Sequence, residues 1–120
     1  MGSRAVFVIE DDQSVRETLC QVIEFFGYPV SSAANGKIAL DILLSGQLPC
    51  LIFLDLMMPV MNGWEFLTAV SEHETLKDIP IIIMSAFKES AGVEKKGVAF
   101  MRKPITLDVL RPYLEKYCGK

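Results

Sequence analysis

The sequence predicts an α/β domain built on a doubly wound, five-stranded parallel sheet with helices on both faces. Three observations carry that prediction. Short apolar runs alternate with segments of helical periodicity along most of the 120 residues. The runs at 6–9, 50–54 and 79–84 are apolar throughout instead of alternating, as strands covered on both faces are. The length suits one domain whose core is large enough to need no covalent staples.

In chain order, Val6, Phe7, Val8 and Ile9 form the first strand, and Val15, Leu19, Val22, Ile23 and Phe26 then recur at helical spacing until Gly27. Residues 30–33, after Pro29, form a second strand whose two serines and modest hydrophobicity place it at a sheet edge. Asn35 is placed to cap a helix running through Leu40 and Leu43 to Gly46. Residues 50–54 are the third strand, and Asn62-Gly63 leads into a helix containing Trp64, Phe66, Leu67 and Val70. Residues 79–84 and 98–101 are the fourth and fifth strands. Thr106 is placed to cap a final helix through Leu107, Leu110 and Leu114, in which Pro112 costs a hydrogen bond and either bends the helix or marks a restart. Placing the most apolar strands at the centre gives the order 2-1-3-4-5, with the topological switch between strands one and three.

Hydrophobic residues make up 51% and charged residues 22%, a globular composition, and the net charge of −3 argues against a nucleic-acid or anionic-membrane surface. No apolar run approaches a membrane span, and the N-terminus lacks a signal pattern, so a cytoplasmic location is expected. Cys20, Cys50 and Cys118 are an odd number and read as reduced packing residues, not as a disulfide or zinc framework. Met1-Gly2-Ser3 reads as a cloning remnant, leaving residues 4–118 as the single domain. His73 reads as an exposed helix-end residue and Met57, Met58 and Met61 as packing residues.

The strand ends carry the chemistry. Strand one ends in Glu10-Asp11-Asp12, strand three in Asp55, strand four in Ser85, and Lys103-Pro104 follows strand five. The 2-1-3-4-5 order brings these ends to one cleft. A lone aspartate at a strand end is an ordinary loop residue, but clustered carboxylates repel one another unless a cation neutralises them, and hard oxygen donors suit Mg²⁺. A lysine and a hydroxyl facing that ion suit an anion such as a phosphoryl group, with Asp55 as its nucleophilic acceptor.

In these four motifs, with Asp55-Leu-Met-Met-Pro59 running on to Asn62-Gly63 and Ser85-Ala86 after strand four, the sequence resembles a response-regulator receiver domain from about Arg4 to Tyr117. The resemblance implies a flavodoxin-like fold and a phosphorylation-activated switch that takes a phosphoryl group onto Asp55 from the histidine of a kinase or phosphotransfer protein. It implies Mg²⁺, with Mn²⁺ as a substitute, bound directly by Asp11 and Asp55, through water by Glu10, and by the backbone carbonyl of Met57. Asp12 would flank the ion without binding it. Ser85 and Lys103 would each contact a phosphoryl oxygen, and the Lys103-Pro104 peptide is expected to be cis. Phe100 falls at the family's aromatic switch position. The implied partners are the kinase, a downstream output domain or protein, and a second copy in a phosphorylation-dependent homodimer, with no direct nucleic-acid contact and no membrane. The domain would be no enzyme beyond catalysing its own phosphorylation and slow self-dephosphorylation.

Departures and rivals complete the reading. The resemblance implies that Met57 and Phe87 flank the path of the attacking water, and their bulky apolar side chains then predict a long-lived phosphoryl group. Lys103 follows Ser85 by 18 positions, fewer than the family usually has, and residues 89–97 pattern poorly as a helix. The helix between strands four and five is therefore expected to be short or irregular. One rival is a pseudo-receiver that binds partners without phosphorylation. The other is a haloacid-dehalogenase-type phosphohydrolase, which wants an aspartate where Met57 stands.

Overall fold

Four consecutive apolar side chains, Leu51, Ile52, Phe53 and Leu54, have no solvent exposure, and this run sets the centre of the molecule. Burying each of them stabilises the fold by about 2 kcal/mol as an upper bound. The computed structural model describes residues 5–85, 98–102 and 105–119, with backbone alone at 85, 98, 100 and 102. The elements run β1 (Val6–Ile9), α1 (Gln13–Phe25), β2 (Val30–Ala33), α2 (Gly36–Leu44), β3 (Leu51–Asp55), α3 (Gly63–Ser71), β4 (Ile81–Ser85), β5 (Val98–Arg102) and α4 (Leu107–Cys118). All strand pairs are parallel, in the order β2-β1-β3-β4-β5, as the apolar patterning predicts. The segment expected as a short or irregular helix, residues 87–97, lies outside the described residues.

Strand parity divides the core into two layers. Phe7, Ile9, Ile52, Leu54, Ile81 and Ile83 point to the face covered by α2 and α3, where they meet Ala39, Leu43, Phe66 and Val70. Val6, Val8, Leu51, Phe53, Ile82 and Met84 point to the other face, against Leu19 and Ile23 of α1 and Leu110 and Leu114 of α4. Strand β2 pairs only with β1 and exposes Ser31 and Ser32, which explains its weak hydrophobic signal. Strand β4 starts two residues later than expected. Pro80 has no N–H for the ladder and contributes only its carbonyl, which accepts from Ile52 N–H at 3.0 Å.

Helix ends follow the capping chemistry in the sequence. Asp12, Asn35 and Asn62 accept from the backbone N–H groups of Val15, Ile38 and Glu65, and Glu65 returns a bond to Asn62 N–H to close a capping box. Thr106 caps differently from the expectation. Its side chain makes no capping bond, and its carbonyl takes the N–H groups of Val109 and Leu110 instead. Helix α4 runs unbroken through Pro112, which is exposed, so water can serve the Asp108 carbonyl that loses its donor. His73 is half-buried, not exposed, and its carbonyl accepts from Leu76 and Lys77 in the turn after α3.

The cysteine reading is corrected. Cys50 and Cys118 are joined by a disulfide, with Cα atoms 5.4 Å apart, and Cys20 alone is free among the described residues. The last turn of α4 crosses the start of β3 on the α1 side of the sheet. Helix docking of this kind is invisible to a local pattern. The Tyr28 hydroxyl donates to the Gly119 carbonyl and ties down the same end of the helix.

Candidate functional site

The register builds the acidic site. Ile9 lies beside Leu54, so the next residues, Glu10 and Asp55, leave neighbouring strands side by side on the α1 face of the sheet. Glu10 and Asp55 are buried at 1% and 6% exposure while Asp11 is exposed, so two carboxylates sit in the protein wall and a third faces solvent. Carboxylate oxygens of Glu10, Asp11 and Asp55 all lie within 4.8 Å of one another. Charges at that separation repel by about 3 kcal/mol per pair at an effective dielectric constant near 20. The donor set is hard oxygen throughout, with one ligand reachable from solvent, and it fits a hydrated divalent cation of the Mg²⁺ type.

The backbone around the acids is fixed from several directions. Glu10 N–H bonds the Ala33 carbonyl at 3.1 Å, and Asp12 N–H bonds the Glu10 carboxylate at 3.2 Å. Asp12 itself caps α1, so the third acid of the motif has a structural role in starting the helix. The Arg16 guanidinium donates to the Glu10 carbonyl at 2.8 Å and the Asp11 carbonyl at 3.4 Å, pinning the β1–α1 loop. Residues six apart share no periodic signal, and sequence reasoning missed this contact.

Beyond Asp55 the chain makes a tight, strained turn. Met61 N–H bonds the Pro59 carbonyl at 2.7 Å across Val60, whose φ of 69° is unfavourable for a β-branched residue. Two glycines hold this turn. Gly36 N–H bonds the Met61 carbonyl at 3.1 Å and Gly63 N–H bonds the Leu56 carbonyl at 2.9 Å, with no room for a Cβ at either position. Met58 is buried and Met61 packs on the core, as expected, but Met57 is 63% exposed and is no packing residue. Its side chain borders a shallow groove of about 390 Å³ with Asp11, Pro59, Asn62 and Trp64.

Of the other expected site residues, Ser85 ends β4 and Phe100 lies in β5, described by backbone alone. Met84, the residue before Ser85, pairs with Asp55, so the backbone register brings Ser85 to the same sheet edge. Lys103, Pro104 and Phe87 lie outside the described residues.

A parallel sheet of this order gathers three carboxylates at its switch point, and comparison with known families identifies the class of domain. Residues 6–115 match the response regulator receiver domain family, and the chain belongs to it. Response regulator MprA of Mycolicibacterium vanbaalenii is 33% identical over 109 residues, 88% of this chain and 46% of that protein. The chain thus spans about half the length of the curated relatives it matches. Among solved structures, the chemotaxis response regulator CheY4 of Vibrio cholerae has a TM-score of 0.80 at 27% identity over 98% of this chain and 99% of its own. The receiver domain of sensor histidine kinase PA1611 from Pseudomonas aeruginosa, with a magnesium ion coordinated in its active-site cleft, has a TM-score of 0.85 at 20% identity over both full chains.

Proposed function

We propose that this receiver domain, residues 4–118, is a phosphorylation-activated switch with Asp55 as the acceptor. The observation that carries the reading is the carboxylate cluster of Glu10, Asp11 and Asp55 at the switch point of the sheet. Asp11 and Asp55 would hold Mg²⁺ directly, Glu10 through water, and Met57 through its carbonyl, with Mn²⁺ as a substitute; the bound ion would neutralise the acids and the incoming phosphoryl oxygens. A carboxylate oxygen of Asp55 attacks phosphorus as the phosphorus–nitrogen bond to the donor imidazole breaks, and the imidazole nitrogen recovers a proton from solvent. The Ser85 hydroxyl donates to one phosphoryl oxygen and the Lys103 ammonium pairs with another, held by a cis Lys103-Pro104 peptide. Movement of Ser85 toward the phosphoryl group, with Phe100 turning inward, passes the signal on. The donor is a histidine kinase or phosphotransfer protein, the receiver of the signal an output domain or protein, and the location cytoplasmic.

Incubating the purified chain with Mg²⁺ and a small phosphodonor tests the proposal by intact mass. Stoichiometric addition of one phosphoryl group, lost in Asp55→Asn, supports it. No addition would instead make the chain a pseudo-receiver, and continued turnover of the donor without a retained group would make it a phosphohydrolase.

A further inference from the structure

We propose that Cys50–Cys118 is a thiol–disulfide exchange site for a low-molecular-weight thiol, with Cys50 as the sulfur attacked, and that its state holds or releases the last turn of α4. The two sulfurs differ in access. Cys118 is 6% exposed and sits in the core layer between β3 and α4, whereas Cys50 is half-buried. Cys50 also lines a solvent-open groove of about 930 Å³, together with Ala5, Pro49, Ile79, Pro80 and Tyr117. That volume is within the range of sites that take small molecules, so a tripeptide-sized thiol has room to approach Cys50 and not Cys118. The groove lies at the opposite end of β3 from Asp55, about 16 Å along the strand, clear of the acidic site.

The exchange balances as follows. An external thiolate attacks Cys50 Sγ, a mixed disulfide forms there, and the Cys50–Cys118 bond breaks with Cys118 leaving as a thiolate that takes up a proton. A second external thiolate attacks the external sulfur of the mixed disulfide, releasing oxidised small-molecule disulfide and the Cys50 thiolate, which is also protonated. The sum is one protein disulfide and two thiols giving two protein thiols and one small-molecule disulfide. The structure offers the reduced form a place for its new proton. Cys50 Sγ lies 3.2 Å from the Ala5 carbonyl, an acceptor for an S–H that the disulfide form does not have.

The mechanical consequence follows from what else holds the helix end. Once the bond is broken, Leu114, fully buried one turn earlier, still anchors α4, and the Tyr28–Gly119 hydrogen bond is left as the remaining tie on its last turn, so that turn loosens while the helix stays docked. A disulfide in a reducing compartment persists only as an exchangeable one. This step rests on the proposed cytoplasmic location, which cell fractionation reads independently of the chemistry.

The test uses the whole chain purified without reductant and equilibrated in glutathione buffers of graded ratio. Expected results are an oxidised form lighter by two hydrogen atoms, a graded conversion across the series, and a glutathione adduct mapping to Cys50. In the reduced form, amides of residues 116–119 should exchange at least tenfold faster while those of β3 are unchanged. Cys118→Ser should trap the adduct on Cys50, and Cys50→Ser should leave Cys118 resistant to the same reagent. A chain with both thiols alkylated as purified, a bond resisting every glutathione ratio, an adduct on Cys118 first, or unchanged exchange at 116–119 would each overturn the proposal. Failure of phosphorylation at Asp55 would leave it standing.

Discussion

Gly63→Ala should slow phosphorylation of Asp55 far more than it destabilises the fold. A Cβ at position 63 would stand 2.7 Å from Leu56 Cα and 2.9 Å from the Asp55 carbonyl oxygen, about 0.7 Å short of ordinary contact with backbone that cannot rotate away. Alanine at the first turn of α3 would by propensity alone stabilise the helix by up to about 1 kcal/mol. Overpacking costs about 1–3 kcal/mol, so the net destabilisation should be about 0–2 kcal/mol. The peptide that must move carries the proposed acceptor, and a misplacement approaching 1 Å at a reacting group costs on the order of 10²-fold in rate. The assay compares the phosphorylation rate with a small phosphodonor and the urea midpoint, with Gly46→Ala as the control. Gly46 has a φ of 103° and open space around its Cβ, so alanine there strains only the backbone, by about 1–2 kcal/mol, and should leave the rate alone. Equal rates for wild type and Gly63→Ala, or equal rate losses in both variants, would refute the reasoning.

Four further outcomes are expected. Cys118→Ser should lower stability by about 2–4 kcal/mol, because the bond closes a loop across a sequence separation of 68, and the melting temperature by about 8–16 °C; calorimetry with and without reductant checks this. Mg²⁺ at ten times its dissociation constant should add about 1.4 kcal/mol of stability, and Asp11→Asn should abolish that increment in thermal melts. With Met57 and Phe87 apolar, phosphate loss should take longer than minutes, and Met57→Asn should speed it about tenfold if ordered water is what the methionine excludes; loss within seconds in the wild type would contradict this. Burial pushes the Cys20 thiol up from its ordinary value, so the protonated form is favoured by folding. That contribution should be complete below the unfolded pKa and vanish as pH rises through the folded one, and the pH profile of Cys20 alkylation, rising later than for a free thiol, measures it.

The sheet and its order were legible because every relevant signal was local: unbroken apolar runs at β1, β3 and β4, two serines at the edge strand, and Asp or Asn before three helices. The acids of the site were legible for the same reason, since parallel strands ending in carboxylates converge without any knowledge of side-chain packing. Contacts made across the fold were not. Arg16 reaches back six residues to the Glu10 carbonyl, Tyr28 reaches Gly119, and Cys50 meets Cys118 only because α4 ends over the start of β3. The odd cysteine count even pointed away from a bond, because Cys20 lies on α1 and takes no part in one.

Gly36 and Gly63 show why a motif reading stops short of the turn after Asp55. Each can be read locally as a helix-start glycine, and neither needs a positive φ. Their common role is steric: Gly36 lets α2 approach the Met61 carbonyl, and Gly63 lets α3 approach the Asp55 carbonyl and the Leu56 backbone. Between them lies Val60, whose positive φ costs of order 1–3 kcal/mol and persists only because its surroundings over-determine it. The strain and its two glycine clamps therefore form one device, and it sits on the six-residue path from Asp55 through the Met57 carbonyl to Val60. A turn held by backbone contacts on both sides would fix the direction of that carbonyl, the proposed metal ligand, without depending on any side chain of its own. The Met57 side chain is then left exposed beside Asp11, where it can face the solvent approach to the acids while its backbone stays fixed.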